Sequence, residues 1–419
     1  MSAAAPTTQE YKRLTQYDVD VICAKHDRLW SARMGGARAV FAFCDLSGLS
    51  MTGRNLCDAD FTGAILVGCD LRKTKLDNAN CYGADMQGAD LTDASMRRAD
   101  LRGSSLRGAN LTGADMFEAD LREGTIAAAD RKEGYKVIEL TQREAYASGA
   151  NLSGANLERS RLSGIVATKA DFSDAILKDA KLVRANLKQA NFNGANLAGA
   201  DLSGANLAGA DLRNTVLVGA KTMSWNINDT NLDGALTDKP SGTSVSDLPY
   251  EQMIADHAKW IETGGAEGKP SVFDKADLRN LRSIRGYNLT ALSAKAAVFY
   301  GLDMEGVQMQ GAQLEGADLR ACNLRRADLR GARLKGAKLT GSDLRDAQLG
   351  PLLIAADRTL PCDMTGAILA NADFARADLR QARMAGADVS RANFTGAQLK
   401  DVDLTGAIRL AARGLDDVI

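Results

Sequence analysis

Histidine is nearly absent from the 419 residues, with two in all, and proline is scarce at 6. Neither His26 nor His257 has a nucleophile or a metal partner that recurs beside both, so a catalytic or ligating role is set aside for a structural one. Cysteine is also sparse, 7 residues with no C-x-x-C pair among them, which argues against zinc and, in a cytosolic chain, for reduced thiols. Cys57, read as outward-facing, is the thiol expected to react if any does. No stretch approaches the ~20 apolar residues of a membrane span. The first dozen residues lack the apolar core of a signal peptide, so a cytoplasmic location is expected. Neither sign of charge is in excess, with 52 Lys+Arg against 53 Asp+Glu and a net charge of −1. That balance excludes binding nucleic acid by neutralising many phosphates, and it excludes a uniformly acidic surface. Phosphate loops and nucleotide fingerprints are missing as well. The reading is therefore of no enzyme activity, no cofactor and no metal.

What the chain has is a period. From position 41 to 126 every fifth residue is apolar, an unbroken register of 18 positions; a second register of 17 runs from 152 to 232 and a third of 25 from 284 to 404. Two residues before each apolar position stands a small one, as in Ala79, Ala84, Ala89, Ala94 and Ala99. A helix cannot use this pattern, because a step of five advances a side chain by 140° and smears the apolar set around the axis. In a flat strand an odd step alternates the faces. A coil that turns a corner once per five residues satisfies both inward positions. Glycine fits that corner: 29 of the 40 glycines fall two residues after the apolar position.

Repeats of the form Ala-Asp/Asn-Leu-x-x, such as Ala89-Asp90-Leu91, Ala195-Asn196-Leu197 and Ala317-Asp318-Leu319, resemble those of the pentapeptide-repeat family over about 300 residues. The resemblance implies an all-β solenoid, a right-handed quadrilateral parallel β-helix with four repeats per coil. Residues twenty apart then share a face, and each buried Leu or Phe is worth roughly 1.5–3 kcal/mol.

The chain also repeats at a longer scale. Tyr17 to Trp30 with its His26, then Gly35-Gly36-Ala37 and Val40-Phe41, is matched by Tyr250 to Trp260 with its His257, then Gly264-Gly265-Ala266 and Val272-Phe273. This predicts a duplicated chain. Residues 1–40 form a tail and capping helix, 41–236 a first β-helix with an insertion at 127–149, and 237–249 a linker. Residues 250–273 form a second capping helix, and 274–419 a second β-helix interrupted at 350–361. His26, Trp30, His257 and Trp260 are the structural residues of the caps, which would cover the unpaired edge of the first coil.

Three features are candidates for recognition. The insertions share Ala-Ala-Asp-Arg, and loops on a rigid scaffold commonly carry recognition, which singles out Asp130, Arg131, Lys132, Tyr135, Asp357 and Arg358. Between 311 and 346 the cations Arg320, Arg325, Arg326, Arg330, Arg333, Lys335, Lys338 and Arg345 outnumber the acids, and Arg320, Arg325, Arg330 and Arg345 are taken as a candidate basic patch. Apolar coil ends leave a homodimer as the alternative to closure by caps. The function expected is a bacterial protein–protein interaction scaffold with an unknown protein partner, no nucleic acid and no membrane. The resemblance carries one rival: quinolone-resistance members of the family are dimeric mimics of duplex DNA that bind DNA gyrase, and a projecting loop occurs there too. Mimicry needs a continuous negative surface, which the arginine rows interrupt.

Overall fold

The computed structural model describes residues 11–126 and 141–415. It divides into two compact units, Met1–Asp238 and Lys239–Ile419. Within each, parallel bridges join residues twenty apart, as in Val40 to Asp60, Asp60 to Asn80 and Asn80 to Asp100 in one and Asp303 to Asn323 to Asp343 in the other. Four repeats therefore complete each turn of a parallel solenoid.

Counting the hydrogen bonds of a single repeat explains its sequence. In Ala89-Asp90-Leu91-Thr92-Asp93, the N–H of Ala89 closes the preceding turn onto Met86 O (3.1 Å). Asp90 N–H bonds backward to Cys69 O (2.9 Å), while Leu91 and Asp93 bond forward to Asn110 O (2.7 Å) and Thr112 O (3.0 Å). The one donor left is Thr92 N–H, and the side chain of Asp90 accepts it at 3.0 Å. A buried or crowded backbone donor must be paired, and an Asp or Asn before the apolar residue supplies the pair locally. Asn110, Asn151, Asp171, Asn191 and Asp211 do the same on the same face.

The apolar and small positions point inward together. Phe41, Leu46, Met51 and their counterparts are buried, with Ala59, Ala64, Ala84 and Ala89 beside them. Where phenylalanines fall twenty apart they stack: Phe172 on Phe192 at 4.8 Å between ring centroids, Phe374 on Phe394 at 5.0 Å.

The corner residue of a repeat takes the left-handed conformation whether or not it is glycine. Asp58, Lys73, Arg98, Glu118, Lys169 and Arg184 all take φ between 55° and 58°. Coil geometry thus overrides a preference worth roughly 1–2 kcal/mol per residue.

Both units begin with the same parts. Lys12–Arg13 pairs in parallel with Cys44–Asp45, and Thr243–Ser244 with Ala276–Asp277. Each short strand leads to a helix, α1 (Gln16–Trp30) and α2 (Tyr250–Glu262). α1 starts from a capping box between Thr15 and Asp18 and buries Val19 and Cys23 in the cluster that holds Phe41 and Leu46. The 237–249 segment is thus more than a linker, because its Thr243–Ser244 strand extends the sheet of the C-terminal unit.

The solenoid is interrupted where the bridge spacing jumps from 20 to 41 residues, Ser105 to Tyr146, and from 20 to 30, Arg333 to Asp363. Antiparallel hairpins leave the coil there: Gly124–Ile126 with Thr141–Arg143, and Leu352–Ala355 with Arg358–Leu360. Positions 354 and 359, counted above as members of the third register, therefore belong to a hairpin. An insertion of ten residues equals two repeats, so the period runs through it in phase. Ile126 likewise lies in the first hairpin. Cys57 corrects another expectation: it is buried, and burial pushes its thiol up.

Candidate interaction surface

His26 and His257 occupy equivalent places in α1 and α2. His26 Nδ1 accepts the Ala39 N–H at 3.1 Å, and His257 Nδ1 accepts the Ser271 N–H at 2.9 Å. Both rings are buried, and Trp30 and Trp260 pack against them with centroids 6.3 and 5.9 Å away. Burial pushes both imidazoles below their ordinary value. Each ring thus accepts a backbone donor; among the described residues no group of three or more His, Cys, Asp or Glu could hold a metal ion.

Three of the four arginines of the expected basic patch are neutralised within their own repeats. Arg320, Arg330 and Arg345 each bind the Asp two residues earlier, Asp318, Asp328 and Asp343, with Nη2 to Oδ2 distances of 2.5, 2.6 and 2.6 Å and Nε on Oδ1. The same carboxylate takes the Arg backbone N–H, so this bidentate pair is the corner bond of the repeat with a guanidinium added. It recurs at Asp70–Arg72, Asp100–Arg102, Asp120–Arg122, Asp211–Arg213, Asp277–Arg279 and Asp378–Arg380. Arg72 holds the Asp70 carboxyl well below the usual carboxylate range, and Arg213 and Arg380 lower Asp211 and Asp378. Arg325 forms no such pair; its backbone N–H bonds Asn323 at 3.3 Å.

Of the loop candidates, Asp130, Arg131, Lys132 and Tyr135 lie outside the described residues. Asp357 and Arg358 sit at the exposed end of the second hairpin. That hairpin carries what the sequence reading missed: Leu353 is 66% exposed and Ile354, in a bulge of the strand, 47%. Its base rests on the coil at Gly331, where a Cβ would stand 2.8 Å from Leu352 Cβ. Beside the hairpin a cleft of about 250 Å³ is lined by Leu360 and Pro361 and by Arg333, Lys335 and Arg383, with Glu315 and Asp363 opposing them. The signal was present in Gly350-Pro351-Leu352-Leu353-Ile354, an apolar run that follows a Gly-Pro pair and precedes Pro361.

No helix among the described residues is long and apolar enough to cross a membrane. A comparison with curated proteins found no match. Among solved structures, HetL from the cyanobacterium Nostoc, described as a pentapeptide repeat protein involved in heterocyst differentiation regulation, is 23% identical over 91% of this chain and 94% of its own, with a TM-score of 0.20. QnrB1, a plasmid-mediated fluoroquinolone resistance protein, is 19% identical over 54% of this chain and 98% of its own, with a TM-score of 0.23. A pentapeptide repeat protein from the cyanobacterium Cyanothece is 27% identical over 33% of this chain and 88% of its own, with a TM-score of 0.17. The family description "Pentapeptide repeats" matches residues 55–93, 94–125, 148–219, 308–347 and 362–408, more than half of the sequence. The chain belongs to the pentapeptide-repeat family.

Proposed function

We propose that this protein is a non-enzymatic protein–protein interaction scaffold, two duplicated right-handed coils capped at their N-terminal sides by α1 and α2, with the inserted hairpins as the recognition elements. The observation that carries the reading is the second hairpin. In solenoids that bury nearly every large aliphatic residue, Leu353 and Ile354 are held out on a projection seated against the coil. Exposed apolar side chains on a rigid projection favour contact with another macromolecule. Pairing of aspartates with arginines inside the repeats works against the gyrase rival, since it breaks up the negative surface that duplex mimicry requires.

The test is capture of partners from a lysate of the encoding organism by the intact chain and by a chain lacking residues 124–144 and 350–359, deletions of 21 and 10 residues that keep the coil in phase, read by quantitative mass spectrometry. A protein enriched by the first and lost by the second is the expected result. Enrichment that survives the deletion moves recognition to the coil faces, and enrichment of gyrase subunits overturns the reading in favour of mimicry.

A further inference from the structure

Most of the arginines that follow an Asp by two residues are held by it, yet three cations gathered beside the second hairpin have no such Asp. Arg333, Lys335 and Arg383 have no ion pair among the described residues, although all three line one cleft. The bridge order explains the gathering. Arg333, Asp363, Arg383 and Asp403 are successive members of one column, and the ten-residue insertion brings Asp363 in directly above Arg333. Asp363 is occupied by its own corner, accepting Thr365 N–H at 3.0 Å. Three cations against two carboxylates leave the lining of this cleft positive by one charge in a chain whose net charge is −1. Leu360 and Pro361 give the same cleft an apolar part, and Leu353 and Ile354 stand exposed on the hairpin to which Leu360 belongs.

We propose that this surface docks a short acidic peptide segment of a partner protein, its carboxylates on Arg333, Lys335 and Arg383 and an adjacent apolar side chain on Leu353 and Ile354. The proposal rests on the scaffold reading above and gives its partner a chemistry. A positive wall alone suits any anion, and an apolar hairpin alone suits any greasy patch. A hairpin that carries exposed Leu353 and Ile354 and borders a cleft with three cations selects a ligand that combines the two, and arginine's planar fork matches a carboxylate in two bonds where a point charge makes one. The exposed cations supply attraction and register, while the apolar contact supplies most of the affinity.

Selection of random decapeptides displayed on phage against the immobilised full chain tests this directly. Enrichment of peptides combining Asp or Glu with Leu, Ile, Val or Phe is expected, with affinity falling as salt rises because the cations are exposed. Fluorescence anisotropy of the enriched peptides, made synthetically with fluorescein, should show at least about a tenfold loss with Arg333→Ala plus Arg383→Ala, and a comparable loss with Leu353→Ser plus Ile354→Ser. All four side chains are exposed, so folding is expected to survive, and an unchanged thermal melt checks that it does. Enriched peptides that are basic or uncharged, or acidic peptides whose binding ignores both double variants, overturn the proposal. A lysate partner lost with the hairpin but indifferent to Arg333 and Arg383 overturns this inference alone; loss of both the lysate partner and the peptide signal overturns the scaffold reading with it.

Discussion

The carboxylate of Asp100 holds Arg102 three times over: Oδ1 accepts the Arg102 backbone N–H at 3.2 Å and its Nε at 2.9 Å, and Oδ2 accepts Nη2 at 2.6 Å. Two of these bonds belong to the guanidinium and one to the backbone, and they are separable. Asp100→Asn keeps an acceptor for the backbone donor and gives up a half-exposed ion pair, expected to cost below about 1 kcal/mol. Asp100→Ala strands the backbone N–H as well, at about 1–3 kcal/mol. Urea denaturation of the two variants should rank Ala well below Asn; equal losses would remove the backbone bond as the reason for Asp or Asn in the repeat.

Left-handed corners without glycine hold strain that can be relieved. Lys169 is exposed, has φ +57° and donates its N–H to Lys188 O at 2.9 Å. Lys169→Gly keeps that bond and removes the Cβ, so stability should rise by about 0.5–1 kcal/mol after the glycine's entropy is counted. Thermal melts check it, and a fall in midpoint would contradict the corner assignment.

Gly331 and Gly336 share φ near +66° but not surroundings: at Gly331 a Cβ meets the hairpin, and at Gly336 it meets nothing within 4 Å. Alanine at either position costs the same backbone strain, about 1–2 kcal/mol. Any extra loss in Gly331→Ala therefore measures the seating of the hairpin. Faster amide exchange across 352–360 in that variant alone is the expected signature.

His26 and His257 place a pH dependence on α1 and α2. Each folded-state imidazole lies below its ordinary 6.5, so the unfolded chain takes up the proton first as pH falls. Their contribution is complete above about pH 6.5 and is lost progressively below it, since protonation at Nδ1 competes with the Ala39 and Ser271 donors. Melting midpoints should drop between pH 7 and about pH 5, and the His26→Asn, His257→Asn double variant should start lower and change less over that range. The paired aspartates act in a separate window: their stabilisation is present above about pH 4 and fades only in stronger acid.

Much of this architecture is written in the spacing. Phe41 to Leu121 fall inward as the five-residue register requires, and the twenty-residue stacking of Asp318 with Lys338 follows from four repeats per coil. The second hairpin was harder to read because ten residues preserve the phase, so Ile354 passes for a core position while standing in solvent. The arginines misled for a different reason. Composition counts Arg320, Arg330 and Arg345 as free charge, whereas local geometry ties each to the Asp two residues before it. Arg333 and Arg383 have no such Asp, and only the folded column brings them together.

The most direct test of the central claim, that the hairpins and not the coil faces carry recognition, is hydrogen–deuterium exchange of the full chain in complex with its captured partner. Protection concentrated on 352–360, with the Arg333 and Arg383 repeats beside it, is the expected result. Protection spread along the coil faces, with 352–360 unchanged, would contradict it.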